Sequence, residues 1–228
     1  MTSGSINQKS AVTKINQNGV LLVFPINNRP EPKSLWSEFF PRTKMRWEWD
    51  ESGDNRVSDM WILMKKLSDS KHVVYSKWYQ GRATFFSRDV FTALLRVFKN
   101  QIETKSQLSR TAHDLLDALE SDSPLSTKQL KKLTELQGKQ NEPQYNRAMK
   151  SLFSQFHIVA FGEVDDGAFP SLAVGATIHL YEDLWIKAEE LELKEAQKII
   201  DKYFPPKSSV RKFLDKVLSP LQAAEESL

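Results

Sequence analysis

The chain has 228 residues, 40% of them hydrophobic and 27% charged, enough for one large domain or two small ones at roughly 100–200 residues each. That balance excludes collagen-like, wholly disordered and coiled-coil chains, and no run of about 18 apolar residues is present to span a bilayer. With no cysteine there is no disulfide, thiol nucleophile or thiolate zinc site. The first eight residues are polar and lack the apolar segment of a secretory signal, so a cytoplasmic location is expected. The formal charge of +3 is unevenly spread: residues 1–100 hold 16 Lys and Arg against 9 Asp and Glu, leaving 16 against 20 in the remainder. Such asymmetry fits a polyanion-binding face in the first half.

Residues 1–18 read as a disordered tail and 19–100 as a first unit. Upstream in it, Arg42, Lys44 and Arg46 add three cations just ahead of two tryptophans, Trp47 and Trp49. Tryptophans gathered this way more often fill a small core than line a pocket, but the cations between them must reach solvent or a polyanion. Asp54 is positioned to cap a helix with Val57, Met60, Trp61, Met64 and Leu67 at helical spacing. Residues 72–79 and 82–86 then flank Gln80-Gly81 as a β-hairpin. Around that turn sit Lys77, Trp78, Tyr79 and Arg82, two cations and two aromatics suited to phosphate contact and base stacking. Strand alternation places Lys77 and Tyr79 on one face and Trp78 on the other, so one aromatic is expected in the core.

Residues 104–181 are more regular. Leu108, Ala112, Leu115, Leu116 and Leu119 form one apolar stripe. Ser126 with Gln129 makes a capping box that opens a short helix ending at Gly138. A third helix starts at Asn141, with Tyr145, Ala148, Met149, Leu152 and Phe156 on one face and Gln144, Arg147 and Lys150 on the other. Residues 157–164 and 171–178 read as a second hairpin. Three helices and a two-stranded wing resemble the winged helix-turn-helix, whose third helix enters the major groove and would carry Gln144, Arg147 and Lys150 there. The second wing holds Glu163, Asp165 and Asp166, the wrong sign for phosphate, so it either packs against the first half or is a solvated turn.

Helix followed by hairpin thus occurs twice, and both hairpins lead into a further helix, at Ala83-Thr84 and again at Ala176-Thr177. The expected fold is α+β, two tandem winged-helix-like units of helices plus two-stranded wings with a helical C-terminal extension over 182–220. On this pattern the chain resembles the tandem winged-helix DNA-binding proteins related to the alkylpurine and interstrand-crosslink DNA glycosylases. The resemblance implies DNA as partner and a place in DNA repair. Those enzymes position the attacking water with a Gln-hydrophobic-Gln or Gln-hydrophobic-Asp motif. The loose analogue here is Gln101-Ile102-Glu103, in what reads as an interdomain linker, so no catalytic residue is assigned.

Other chemistries lack their signatures. There is no G-x-G-x-x-G, phosphate loop or G-x-S-x-G elbow. The histidines at 72, 113, 157 and 179 are scattered, and the acidic residues Asp50, Glu51, Asp54 and Asp59 lack calcium-loop spacing. No cofactor or metal is expected. Val210, Phe213, Leu214, Val217 and Leu218 form an amphipathic terminal helix that either docks on its own chain or makes a homodimer, and residues 221–228 read as loosely attached. The function read from sequence is binding of double-stranded DNA, with a glycosylase-like enzyme acting on a damaged base and a protein-interaction module as alternatives.

Overall fold

A computed structural model describes residues 6–46, 55–105, 108–164 and 171–225, with side chains to 219. The first half runs α1 (Gln8–Asn18), β1 (Val20–Leu22), α2 (Leu35–Phe39), α3 (Asn55–Asp69), β2 (Val74–Ser76), β3 (Thr84–Phe86) and α4 (Arg88–Thr104). The second runs α5 (Arg110–Ser121), β4 (Leu125–Ser126), α6 (Thr127–Leu133), α7 (Glu142–Ser154), β5 (Ile158–Val164) and β6 (Ser171–Ala176). Four helices close the chain: α8 (Thr177–Leu180), α9 (Glu182–Glu190), α10 (Leu193–Tyr203) and α11 (Ser209–Glu225). The fold is mixed α+β. Among the described residues no helix is long and apolar enough to cross a membrane.

All six strands join one antiparallel sheet in the order β1-β3-β2-β5-β6-β4. The order helix, strand, helix, helix, strand, strand occurs in each half, and equivalent strands occupy mirrored places in the sheet. The equivalent strands β2 and β5 therefore meet at the centre, Tyr75 opposite Ala160. An antiparallel contact between equivalent strands is a local two-fold axis. Alternation divides the side chains between two cores. Tyr75, Phe85 and Ala160 face α1–α3 and α5–α7, whereas Val74, Phe86 and Val159 face α4 and the closing helices.

Two expectations are corrected. Residues 8–18 are not a loose tail: Asn7 and Ser10 form a capping box and Ala11 and Ile15, one turn apart, are fully buried. Ala11, Val12 and Ile15 hold that helix to the core, a stripe too short to stand out in a polar segment. Gln101-Ile102-Glu103 is the last turn of α4 and not a linker, because Phe91, Leu94, Leu95, Phe98 and Ile102 continue one buried stripe. Helix α7 starts at Asn141 as expected, with Pro143 in its first turn; Asn141 holds the N-cap position through its backbone carbonyl, while its Nδ2 donates to the Gln137 carbonyl at 2.8 Å. The cap expected from Asp54 and the acidic residues Asp50 and Glu51 lie outside the described residues. Helix α11 docks on its own chain, with Val210 and Leu214 buried and the Phe213 ring 4.8 Å from Trp78.

Candidate functional site

A cleft of about 610 Å³ opens on the α1–α3 side of the sheet, where the first hairpin meets the second. Its floor is set by strand alternation: Tyr75 and Lys77 are two residues apart in and just beyond β2, so both face it. Arg82 and Ala83 return along the far side of the turn. The opposite wall needs a break in alternation. Ile158 and Ala160 point to the cleft side while Val159 and Phe161 point away, which would send Glu163 away too. A β-bulge between Ala160 and Glu163 absorbs the extra residue, with Gly162 at φ 65°. Glu163 then pairs with Leu172, and both line the cleft.

The rim is built from the first half. Asn27 and Asn28 both have left-handed backbone, φ 50° and 55°, a conformation Asn tolerates better than most residues. The Asn28 side chain clamps the next segment, its Nδ2 donating to the Met45 carbonyl at 3.0 Å and its Oδ1 accepting from the Met45 N–H at 2.7 Å. Met45 is thereby tucked into the cleft wall, and its neighbours Lys44 and Arg46 are left exposed. Trp61 closes the rim, 43% exposed and 5.9 Å from the Phe24 ring.

Among the described residues, two charged groups in the cleft lack a hydrogen-bond or ion-pair partner. Lys77 is half-buried and, among the described residues, makes neither hydrogen bond nor ion pair; burial holds its ammonium below the usual lysine range. Glu163 is likewise half-buried and unpaired among the described residues. Burial, and secondarily the charge of Glu163, push the Tyr75 phenol up, so it stays neutral and able to donate a hydrogen bond. A cation and a carboxylate without partners among the described residues, in an aromatic-lined cleft, make this the candidate site. Among the described residues no three metal-ligating side chains gather.

The sequence profile of the family described as AlkZ related matches residues 6–218. The chain belongs to the AlkZ-related family. No curated protein and no solved structure matches it. Every residue lining the cleft of this AlkZ-related chain lies inside the matched span.

The residues singled out from sequence are distributed unequally. Lys77 and Arg82 are in the cleft, and Arg42, Lys44 and Arg46 are exposed on the segment that Met45 anchors to it. Trp78 is 1% exposed and stacks on Phe156 at 5.8 Å, so it is core. Tyr79 does not share the face of Lys77: the chain leaves the strand for a 3-10 turn at Tyr79–Gly81, which swings Tyr79 to 5.0 Å from Phe213. Neither hairpin aromatic is presented to a ligand. Gln144, Arg147 and Lys150 lie on the exposed face of α7, away from the cleft, and Gln144 donates to the Thr111 hydroxyl.

Gln101 is 8% exposed in α4, on the other side of the sheet, and Glu103 pairs with Lys99 at 3.6 Å. Sequence reasoning passed over Asn27 and Asn28, counted Trp61 as core and read Glu163 only as a wing charge. The usable signal was Gly162, an isolated glycine in a strand run, which marks a bulge. It also passed over Lys128, Lys131 and Lys132, which line a shallow hollow of about 410 Å³ on α6.

Proposed function

We propose that this AlkZ-related chain is a DNA-repair protein of glycosylase type, which holds duplex DNA on the cationic rim and takes one damaged base into the cleft. The observation that carries the reading is a carboxylate without a partner among the described residues, Glu163, in an aromatic-lined cleft rimmed by exposed Arg82, with exposed Lys44 next to the lining residue Met45. Its volume is within the roughly 300–1,000 Å³ of small-ligand sites, and an extruded base is a flat, apolar-faced ligand with polar edges. Exposed Trp61 offers a ring face to it, and Asn27 and Lys77 offer hydrogen bonds to its edges. Glu163 then orients and deprotonates the water that attacks the sugar carbon as the base departs, a contribution of about 10²–10⁴-fold for a positioned general base.

The repeated element order supports tandem winged-helix units, with α3 and α7 as their third helices. On that reading Arg147 and Lys150 on α7, with Lys128 and Lys132 on α6, extend the phosphate-binding surface beyond the cleft. Binding without base release is the second reading, favoured by the burial of Gln101 on the opposite side of the sheet, where no water it orients could reach the cleft.

The test is release of free base from duplexes carrying N-alkylated purines, read by chromatography, beside duplex binding by the same preparation. Base release that falls about 10²–10⁴-fold in Glu163→Gln with binding retained supports the enzyme. Binding with no release from any alkylated duplex leaves the second reading, and absence of binding ends both.

A further inference from the structure

We infer that Lys77 is a nucleophile that captures an aldehyde in the cleft as an imine, the aldehyde being the open-chain sugar of an abasic site in DNA. The inference rests on the DNA reading above and adds a covalent step that base release by water does not require.

The geometry begins with what Lys77 lacks. Other lysines that are drawn partly out of solvent are paired: Lys105 with Asp117 and Glu120, Lys131 with Glu142, Lys99 with Glu103 and Glu189. Lys77 lines the cleft with Glu163 in the same wall system, yet the two form no ion pair. Among the described residues that half-buried ammonium has no partner, so it gives up hydration without an ion pair in return. Burial lowers its pKa accordingly, which raises the share of nucleophilic amine at neutral pH. Tyr75 lines the same cleft as Lys77, and its phenol, held neutral, keeps a proton to donate to a carbonyl oxygen.

The chemistry balances without a co-reactant. Loss of a base leaves a hydroxyl on the sugar carbon, and the ring-opened form of that sugar is an aldehyde. The Lys77 nitrogen adds to the aldehyde carbon, forming the C–N bond as the carbonyl π pair moves to oxygen. Glu163 relays both amine protons in turn to that oxygen, which leaves as water. Amine plus aldehyde gives imine plus water, with no change of oxidation state.

The experiment uses the full chain and a duplex with one chemically prepared abasic site, so that no base release by the protein is needed. Borohydride reduces any imine to a stable amine link, and the adduct is resolved on a denaturing gel and mapped by mass spectrometry after digestion. The expected result is a wild-type adduct on Lys77, lost in Lys77→Arg, which keeps the charge but not the nucleophile. An adduct on another lysine, an undiminished adduct in Lys77→Arg, or no adduct from wild type that nevertheless retards the duplex would overturn the imine and leave the DNA reading standing. Failure to retard the duplex at all would remove both.

Discussion

Gly162 lies beneath the carboxylate of Asp69, whose Oδ1 occupies the place that a β-carbon on residue 162 would take. The glycine also has φ 65°, so the bulge that turns Glu163 toward the cleft depends on the missing side chain twice over. Gly162→Ala is expected to cost about 1–3 kcal/mol in a denaturant titration, the usual penalty for a strained backbone position. Glu163 moves with the bulge, so base release is expected to fall further than the loss of folded protein accounts for.

Duplex affinity should fall steeply with salt. If Arg82, Lys44 and Arg42 each neutralise one phosphate, the slope of log affinity against log salt is about −2.7, or roughly a fortyfold loss between 50 and 200 mM. Arg82→Ala and Lys44→Ala should each flatten that slope by about one, in a fluorescence-anisotropy titration. The same measurement on Arg147→Ala and Lys150→Ala decides whether α7 also touches DNA: an unchanged slope in both confines the contact to the cleft rim.

His157 gives the fold a pH dependence of predictable sign. It is 2% exposed, and among the described residues neither ring nitrogen has a hydrogen-bond partner. Burial first, then the charges of Lys105 and His113, push its pKa down to about 4. In the unfolded chain it titrates near ~6.5. Between these values the unfolded chain binds the proton and the folded one does not, so stability is full above about pH 6.5 and drains away as pH falls toward 4. The loss approaches about 3 kcal/mol at the bottom of that window. His157→Phe should flatten the curve of denaturation midpoint against pH over this range, whatever its effect at pH 7.

Trp78 tests whether the first hairpin's aromatics are core or ligand contacts. It stacks on Phe156 and meets Phe204 and Phe213 edge-on. Trp78→Ala is expected to cost about 3–5 kcal/mol and to loosen α11, visible as faster proteolysis of the C-terminal segment. Trp78→Phe should keep the salt slope of DNA binding unaltered, whereas a wedge between bases would not survive the loss of the indole.

The second half was largely legible because its helices carry long apolar stripes and a capping box at Ser126, and because β5 and β6 are six residues or longer. Strands β1, β2 and β3 have three residues each, too short for alternation to carry beyond their ends, so the 3-10 turn reversed the side of Tyr79. Trp61 fits its helix's apolar pattern equally well as core or as rim, and only the position of Phe24 decides. Lys77 and Arg82 could be found because a cation at a tight turn has few other uses. Glu163 was harder: its side chain reaches the cleft through a bulge that Gly162 alone marks, and the cleft it faces is lined mostly by residues of the first half.

The central rung of the sheet, Tyr75 opposite Ala160, stands between the amine of one half and the carboxylate of the other. On the proposed function the groups that act on the base are therefore divided between the two halves. Substitutions packed beneath that rung are then expected to alter substrate choice from outside the cleft, like a shim under one jaw of a wrench, while leaving every lining residue in place.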